Sequence, residues 1–334
     1  MKAIGYKTAG GAEVLTDIEI PRPVPQARDL LVKIQAISVN PVDTKRRRRE
    51  TPETAAGYMV LGYDAAGVVE AVGRDVNLFK VGDEVFYAGA MNRPGTNAEF
   101  HLVDERIVGP KPKSLSFGAA AAMPLTSITA WEVLFDRMRI PRSSKVPLGT
   151  LLILNGAGGV GSMMIQLATR LTGLDVIATA SRPETIAWVR ELGARHVADH
   201  SKPIGEALKA IGFDGVDYIA AITTTPGIAR GLADAINPQG HITLIDNFDD
   251  SIMPFKAKSI TISWEMMFTR SLFDTPDVQA QHRLLREVSV LVDRGVLRST
   301  LTKNLGRITA ENLRQAHQIV ESGHTIGKVV LEGF

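Results

Sequence analysis

The sequence predicts an α/β protein built from two unlike modules, a β-rich one and a doubly wound parallel sheet. Three observations carry this. From residue 2 to about residue 108, short β-prone runs are broken by glycine, as in a compact β structure. Beyond Thr150, apolar runs of about five residues alternate with helical stretches, the pattern of βαβ units. Where the first of these strands meets its helix stands Gly156-Ala157-Gly158-Gly159-Val160-Gly161. The length of 334 residues agrees. At about 150 residues per domain it allows roughly two domains, each large enough to bury its own core.

In chain order, the first module is expected to form strands at 30–39, 67–72, 84–87 and 99–103, all rich in β-branched or aromatic residues. The second module is expected to place strands at 151–154, 175–178, 216–222, 241–245 and 259–263. Helices are expected between them at 162–171, 183–192, 203–211 and 226–236. Pro183, Pro203 and Pro226 stand at or near the first positions of three of these helices, where a missing N–H costs nothing. After Trp264 the parallel rhythm stops. A long helix over 277–294, a short β stretch near 299–305, a helix over 310–321 and a strand at 328–331 complete the chain.

Charge and cysteine content exclude several classes of function. The 38 Lys and Arg against 36 Asp and Glu leave 38 − 36 = +2, too little for a global field that would hold nucleic acid or an anionic membrane. The run Lys45-Arg46-Arg47-Arg48-Arg49 could touch a polyanion, but with so little supporting charge it reads as a solvated loop. There is no cysteine, hence no disulfide, thiolate nucleophile, iron–sulfur cluster or Cys-containing zinc site. The polar start of the chain is unlike a signal peptide. Nor does any stretch supply about 18 uninterrupted apolar residues, since the nearest, 118–135, contains Pro124, Thr126, Ser127, Thr129 and Glu132. A cytoplasmic protein is expected.

A bare G-x-G-x-x-G is a weak signal, but a strand-to-helix junction followed by a second strand about thirty residues on makes it a phosphate-binding turn. The first glycine is expected to permit the tight turn, the second to admit a pyrophosphate to the backbone, and the third to let helix and strand pack closely. The helix N-terminus then offers unpaired N–H groups and the positive end of its dipole. An NAD-selective site usually carries an acid about twenty residues on, for the ribose hydroxyls. The second strand instead ends Ala178-Thr179-Ala180-Ser181-Arg182, a hydroxyl and a guanidinium that suit a 2′-phosphate and hence NADPH. An exposed arginine ahead of a helix is the plainer alternative, and Glu184 is an opposing charge nearby.

Several segments in order carry a resemblance: Val39-Asn40-Pro41-Val42-Asp43, Leu61-Gly62-Tyr63-Asp64-Ala65-Ala66-Gly67, Val81-Gly82-Asp83-Glu84-Val85, Pro124-Leu125-Thr126-Ser127, the glycine turn, and Gly323-His324-Thr325-Ile326-Gly327-Lys328-Val329-Val330. Over essentially its whole length the chain resembles the medium-chain dehydrogenase/reductase superfamily. Within it the likeness is to zinc-independent quinone oxidoreductases, especially the zinc-type alcohol dehydrogenase-like branch. The resemblance implies a GroES-like β-rich catalytic domain over 1–124, a Rossmann NADPH-binding domain over 125–269, and a return to the catalytic domain over 270–334. It also implies a homodimer, and substrate and cofactor meeting in the cleft between domains. Zinc-dependent relatives have G-H-E-x-x-G where this chain has Gly62-Tyr63-Asp64-Ala65-Ala66-Gly67, so a phenol replaces an imidazole ligand. The closest His pair, His196 and His200, would lie about 13 Å apart along a strand. No metal is expected.

The expected activity is metal-free hydride transfer from NADPH to an acceptor that is already electrophilic, a quinone or an α,β-unsaturated carbonyl. Alternatives are a zinc-free alcohol or aldehyde reductase, a low-turnover NADPH-binding sensor, and an RNA-binding crystallin-like protein, although nucleic acid is not expected as a partner. By resemblance, Asn40 and Asp43 would lie in the cleft, Tyr63 would donate to the oxyanion, and Thr126 would hydrogen-bond near the nicotinamide. The same residues could instead cap the Pro41 turn, pack as a buried phenol, or cap a helix. Besides the glycine turn (Gly156, Gly158, Gly159, Val160, Gly161), Ser181 and Arg182, the expected cofactor contacts are His200, Gly327 and Lys328. Phe248, Trp264, Met266 and Phe268 could wall an apolar substrate pocket or belong to plain core.

Overall fold

The computed structural model describes residues 1–53, 57–142 and 146–334. The chain folds into two compact units, Met1–Ile128 with Phe268–Phe334, and Thr129–Met267.

The first unit opens with β1 (Lys2–Tyr6), β2 (Thr16–Glu19) and β3 (Asp29–Ser38), followed by α1 (Pro41–Arg49) and β4 (Met59–Val60). Then come β5 (Asp64–Val72), β6 (Glu84–Tyr87), β7 (Phe100–Asp104), β8 (Val108–Pro110) and the helices α2 (Phe117–Ala121) and α3 (Pro124–Trp131). β3 is the organising strand, paired along both edges, and Leu30, Leu31, Val32, Ile34, Ala36 and Ile37 are all buried. One edge pairs antiparallel with β5 along its length, and β7 takes the first half of the other.

The basic run over 45–49 is not a solvated loop, which corrects the expectation from charge alone. It forms the greater part of α1, which starts with Pro41 at its first position and is braced by the Asp43 carboxylate accepting the Asn40 N–H at 2.8 Å. Arg46, Arg47 and Arg48 each meet a carboxylate, and Lys45 and Arg49 are exposed. Arg46 is forked onto Glu50, and Arg47, fully buried, donates to the Gly10 carbonyl and to Glu321, which Arg48 also reaches at 2.8 Å. His317 meets Arg47 through Nδ1 at 3.0 Å. A guanidinium cannot accept, so Nδ1 must, and burial with the adjacent cation pushes this imidazole down to about 3.

The second unit contains β9 (Thr150–Ile153), α4 (Gly159–Leu171), β10 (Asp175–Thr179), α5 (Pro183–Leu192), β11 (His196–Ala198) and α6 (Ile204–Lys209). It continues with β12 (Val216–Ala221), α7 (Ile228–Ala235), β13 (Ile236–Leu244) and β14 (Thr261–Trp264). All pairs are parallel, in the order β11-β10-β9-β12-β13-β14. By rank along the chain this is 3-2-1-4-5-6, the dinucleotide-binding order, whose reversal beside β9 opens a crevice at the strands' carboxyl ends. Two differences from expectation have local causes. β11, three residues long, is too short to show a period. β13 begins five residues early because 237–240 bulge out opposite Asp217, whose carboxylate holds Asn237 at 2.8 Å, and the bulge hides the alternation.

After β14 the chain returns to the first unit as α8 (Thr269–Leu272), α9 (Ala280–Asp293), β15 (Leu301–Asn304), α10 (Ala310–Glu321) and β16 (Lys328–Glu332). β16 fills the half of the β3 edge that β7 leaves open, pairing Val330 with Ser38 and Leu331 with Ile37. Among the described residues no helix is long and apolar enough to cross a membrane.

Candidate cofactor and active site

In the second unit the glycine turn joins β9 to α4. Its left-handed residue is Asn155, with φ +55°, not the first glycine, which corrects the role expected of Gly156. Asparagine tolerates this conformation. Gly156 is required instead for approach to the next strand, since a Cβ there would lie 2.8 Å from that of Ala178. Gly161 lets α4 sit on the turn, because a Cβ would come within 2.5 Å of the Asn155 carbonyl and 2.7 Å of the Gly156 backbone. Gly158, Gly159 and Val160 are partly exposed at the N-terminus of this thirteen-residue helix. Its first N–H groups and its dipole suit a phosphate there.

The neighbouring strand ends build a second polar cluster. Thr179 Oγ1 accepts the Asn155 N–H at 2.9 Å, tying the turn to β10. His200, just beyond β11, lies 2.9 Å from Ser181 Oγ through Nε2 and 3.4 Å from Thr179 Oγ1 through Nδ1. Ser181 and Arg182 are half-buried and His200 is exposed. Arg182 lies 3.3 Å from Glu184. The end of β10 itself carries no carboxylate. Thr179 was missed from sequence as part of this cluster, because a lone threonine at a strand end carries no pattern.

In the first unit, Asn40, Asp43, Asp64 and Lys328 form one buried network. Lys328 Nζ donates to the Asp64 carboxylate at 2.9 Å, to the Val39 carbonyl at 3.0 Å and to Asn40 Oδ1. Asp64 also accepts from Asn40 Nδ2 and from the Leu125 N–H, both at 2.8 Å. Asp43 accepts the Gly62 N–H at 3.0 Å, and burial pushes its carboxyl up to about 7. Gly62 adopts φ +109°, and a Cβ there would lie 2.5 Å from Thr96 Oγ1. Tyr63 is thus held from both sides, Gly62 by Asp43 and Asp64 by Lys328. Neighbouring Gly327 is left-handed and crowded by the Thr300 carbonyl.

Tyr63 is 1% exposed. Its ring meets Phe268 edge-on with centroids 5.1 Å apart, and its hydroxyl accepts a hydrogen bond from Arg46. Burial pushes the phenol well above its usual range, which keeps the proton on the oxygen. Thr126 is buried and donates to the Met123 carbonyl at 3.0 Å. The four candidate pocket residues have different surroundings. Phe268 packs on Tyr63, Phe248 lies against Phe255 in the core of the second unit, and Trp264 and Met266 are exposed. Among the described residues, no three His, Asp or Glu side chains come together as metal ligands.

Comparison with known proteins gives consistent matches. Residues 26–122 match the alcohol dehydrogenase GroES-like domain, and 192–331 match the zinc-binding dehydrogenase domain. A zinc-type alcohol dehydrogenase-like protein of Staphylococcus aureus (strain Mu50) is 42% identical over 99% of both chains. The NADPH-dependent alkenal/one oxidoreductase of Arabidopsis thaliana is 37% identical over 72% of this chain and 64% of its own. A crystal structure from Rhizobium etli CFN 42, described as a zinc-dependent alcohol dehydrogenase, superposes with a TM-score of 0.95. That chain is 55% identical, with 100% of this chain and 98% of that one covered.

Proposed function

This chain belongs to the medium-chain dehydrogenase/reductase superfamily, in its zinc-type alcohol dehydrogenase-like branch, and we propose that it is a metal-free, NADPH-dependent reductase of quinones or α,β-unsaturated carbonyls. The observation that carries the reading is the end of β10. A hydroxyl, an imidazole and a guanidinium stand there, the strand end itself carries no acid, and the one carboxylate paired with the guanidinium is Glu184 in the next helix, beside the open helix end at the sheet's reversal point. The Arabidopsis relative, named for NADPH and for alkenals and enones, supports it.

Two of these relatives carry zinc in their names, whereas the donor set of this chain does not suit it. There is no cysteine, and Tyr63 stands where zinc-dependent relatives place a ligand. Without a Lewis acid, an acceptor that is already electrophilic is the better fit. NADPH, when bound, would supply the hydride. The first turn of α4 would hold the pyrophosphate, Ser181, Arg182 and His200 the 2′-phosphate, and Tyr63 would donate to the acceptor oxygen as it gains charge. Because Tyr63 is 1% exposed, that donation requires the side chains around it to open.

The test is kcat/KM for NADPH and for NADH with simple quinones and enones, using EDTA-treated wild type and Arg182→Ala. Wild type should prefer NADPH and keep its activity after EDTA. Arg182→Ala should weaken NADPH use by roughly tenfold while leaving NADH nearly unchanged. That is the low end of what a hydrogen bond to a charged group contributes, since Arg182 is 38% exposed and shared with Glu184. Required stoichiometric zinc, or a wild type that prefers NADH, would overturn the reading.

The reading extends to assembly as a homodimer. β14 is one of the sheet's two edge strands and ends on Trp264, 54% exposed, an edge that pairing with a second copy would cover. A monomeric mass at micromolar concentration in solution would count against it.

A further inference from the structure

We propose that Arg46 is the positioning residue for Tyr63, orienting the phenol and strengthening it as a hydrogen-bond donor to the substrate oxyanion; this rests on the donor role given to Tyr63 above. It also gives a function to part of the basic run over 45–49, which the nucleotide site does not use. Arg46 sits on α1, and its Nη1 donates to two acceptors, the Tyr63 oxygen and the Met91 carbonyl at 3.0 Å. Its Nε and Nη2 are forked onto Glu50, with Nε 2.8 Å from Oε2. The guanidinium is therefore held from the side away from the phenol and cannot swing freely.

A phenol oxygen that accepts from a guanidinium must turn its own hydrogen elsewhere, because guanidinium has no lone pair to receive it. The bond with Arg46 thus leaves the Tyr63 O–H for another acceptor. The adjacent cation also draws electron density from the phenol oxygen, so the hydrogen bond its O–H donates is stronger than it would be at the same site without Arg46. Burial opposes this, as do the carboxylates of Asp43 and Glu50, which with Arg46 are the charged groups acting on Tyr63. All three lie on or directly after α1. The helix that began as a charge run is in this sense the backing of the donor.

The test is a double-mutant cycle of Arg46→Met and Tyr63→Phe, with Arg46→Lys as the conservative variant, read in two ways. One is the single-turnover rate with NADPH and a quinone. The other is the affinity of the protein for 4-nitrophenolate, an oxyanion whose absorbance shifts on binding. Because Arg46 acts through the Tyr63 hydroxyl, Tyr63→Phe should cost roughly two to three orders of magnitude in rate and Arg46→Met about tenfold, both should weaken phenolate binding, and the double change should cost no more than Tyr63→Phe alone. Substrate KM should move little. Arg46→Lys, which keeps the charge and a single donor nitrogen, should recover part of the loss and guards against a folding defect in Arg46→Met.

Independent losses, with Arg46→Met costing about a further tenfold on top of Tyr63→Phe in the double variant, would overturn the proposal while leaving Tyr63 as donor. So would an Arg46→Met variant with unchanged rate beside an impaired Tyr63→Phe. A Tyr63→Phe protein with full rate and full phenolate affinity would remove the donor reading itself, and this proposal with it.

Discussion

Replacing Lys328 by Met should destabilise the unit formed by Met1–Ile128 and Phe268–Phe334 by about 3 to 5 kcal/mol, the cost of leaving a buried charge without its partner. Asp64 is 0% exposed and Lys328 4%. With the ammonium gone, the carboxylate would keep only the Asn40 amide and the Leu125 N–H. Neither brings a positive charge. The measurement is denaturant unfolding, comparing midpoints at constant slope and following a probe in this unit, because a chain of two units need not unfold in one step. A second variant separates charge from packing. Lys328→Met with Asp64→Asn removes both charges and should recover much of the loss, since a neutral pair needs no counter-ion. A Lys328→Met protein within 1 kcal/mol of wild type would mean that the pair is not an isolated buried one.

Tyr63→Phe should slow hydride transfer by roughly two to three orders of magnitude while leaving NADPH affinity nearly unchanged. Removing a donor to a developing oxyanion costs about 2.7 to 4 kcal/mol in the barrier, whereas it contributes little to binding the ground state. The ring is retained, so its edge contact with Phe268 and its place between Gly62 and Asp64 survive. What is lost is the oxygen and with it the bond from Arg46. Single-turnover kinetics separate this from a change in product release. An unchanged single-turnover rate would assign Tyr63 to packing alone.

The parts legible in the sequence are those whose cause is local. α5 and α10 have the bounds expected from helix periodicity, and β6 those expected from β-prone composition. The glycine turn was legible because strand, glycines and helix follow one another without interruption. The missing acid at the end of β10 was legible because it is an absence at a known offset. Even there, local reasoning misplaced one detail, since Asn155 rather than Gly156 takes the left-handed conformation.

Sequence by itself therefore determined the two textures, the glycine turn at a strand-to-helix junction, the absence of cysteine and the family. Tertiary structure decided the rest, because buried charges find their partners across the chain rather than along it. Lys328 and Asp64 are 264 residues apart, and Arg47 meets Glu321 over 274. Ser181 and His200 are brought together because β10 and β11 are parallel neighbours that end at one level. A run of arginines looks the same in sequence whether water or carboxylates surround it. Here Lys45 to Arg49 lie in a helix whose Arg47 is fully buried against Glu321 and the Gly10 carbonyl. The physical reason is desolvation: a charge can be buried only where the fold supplies its counterpart, and that supply is a property of the assembled core.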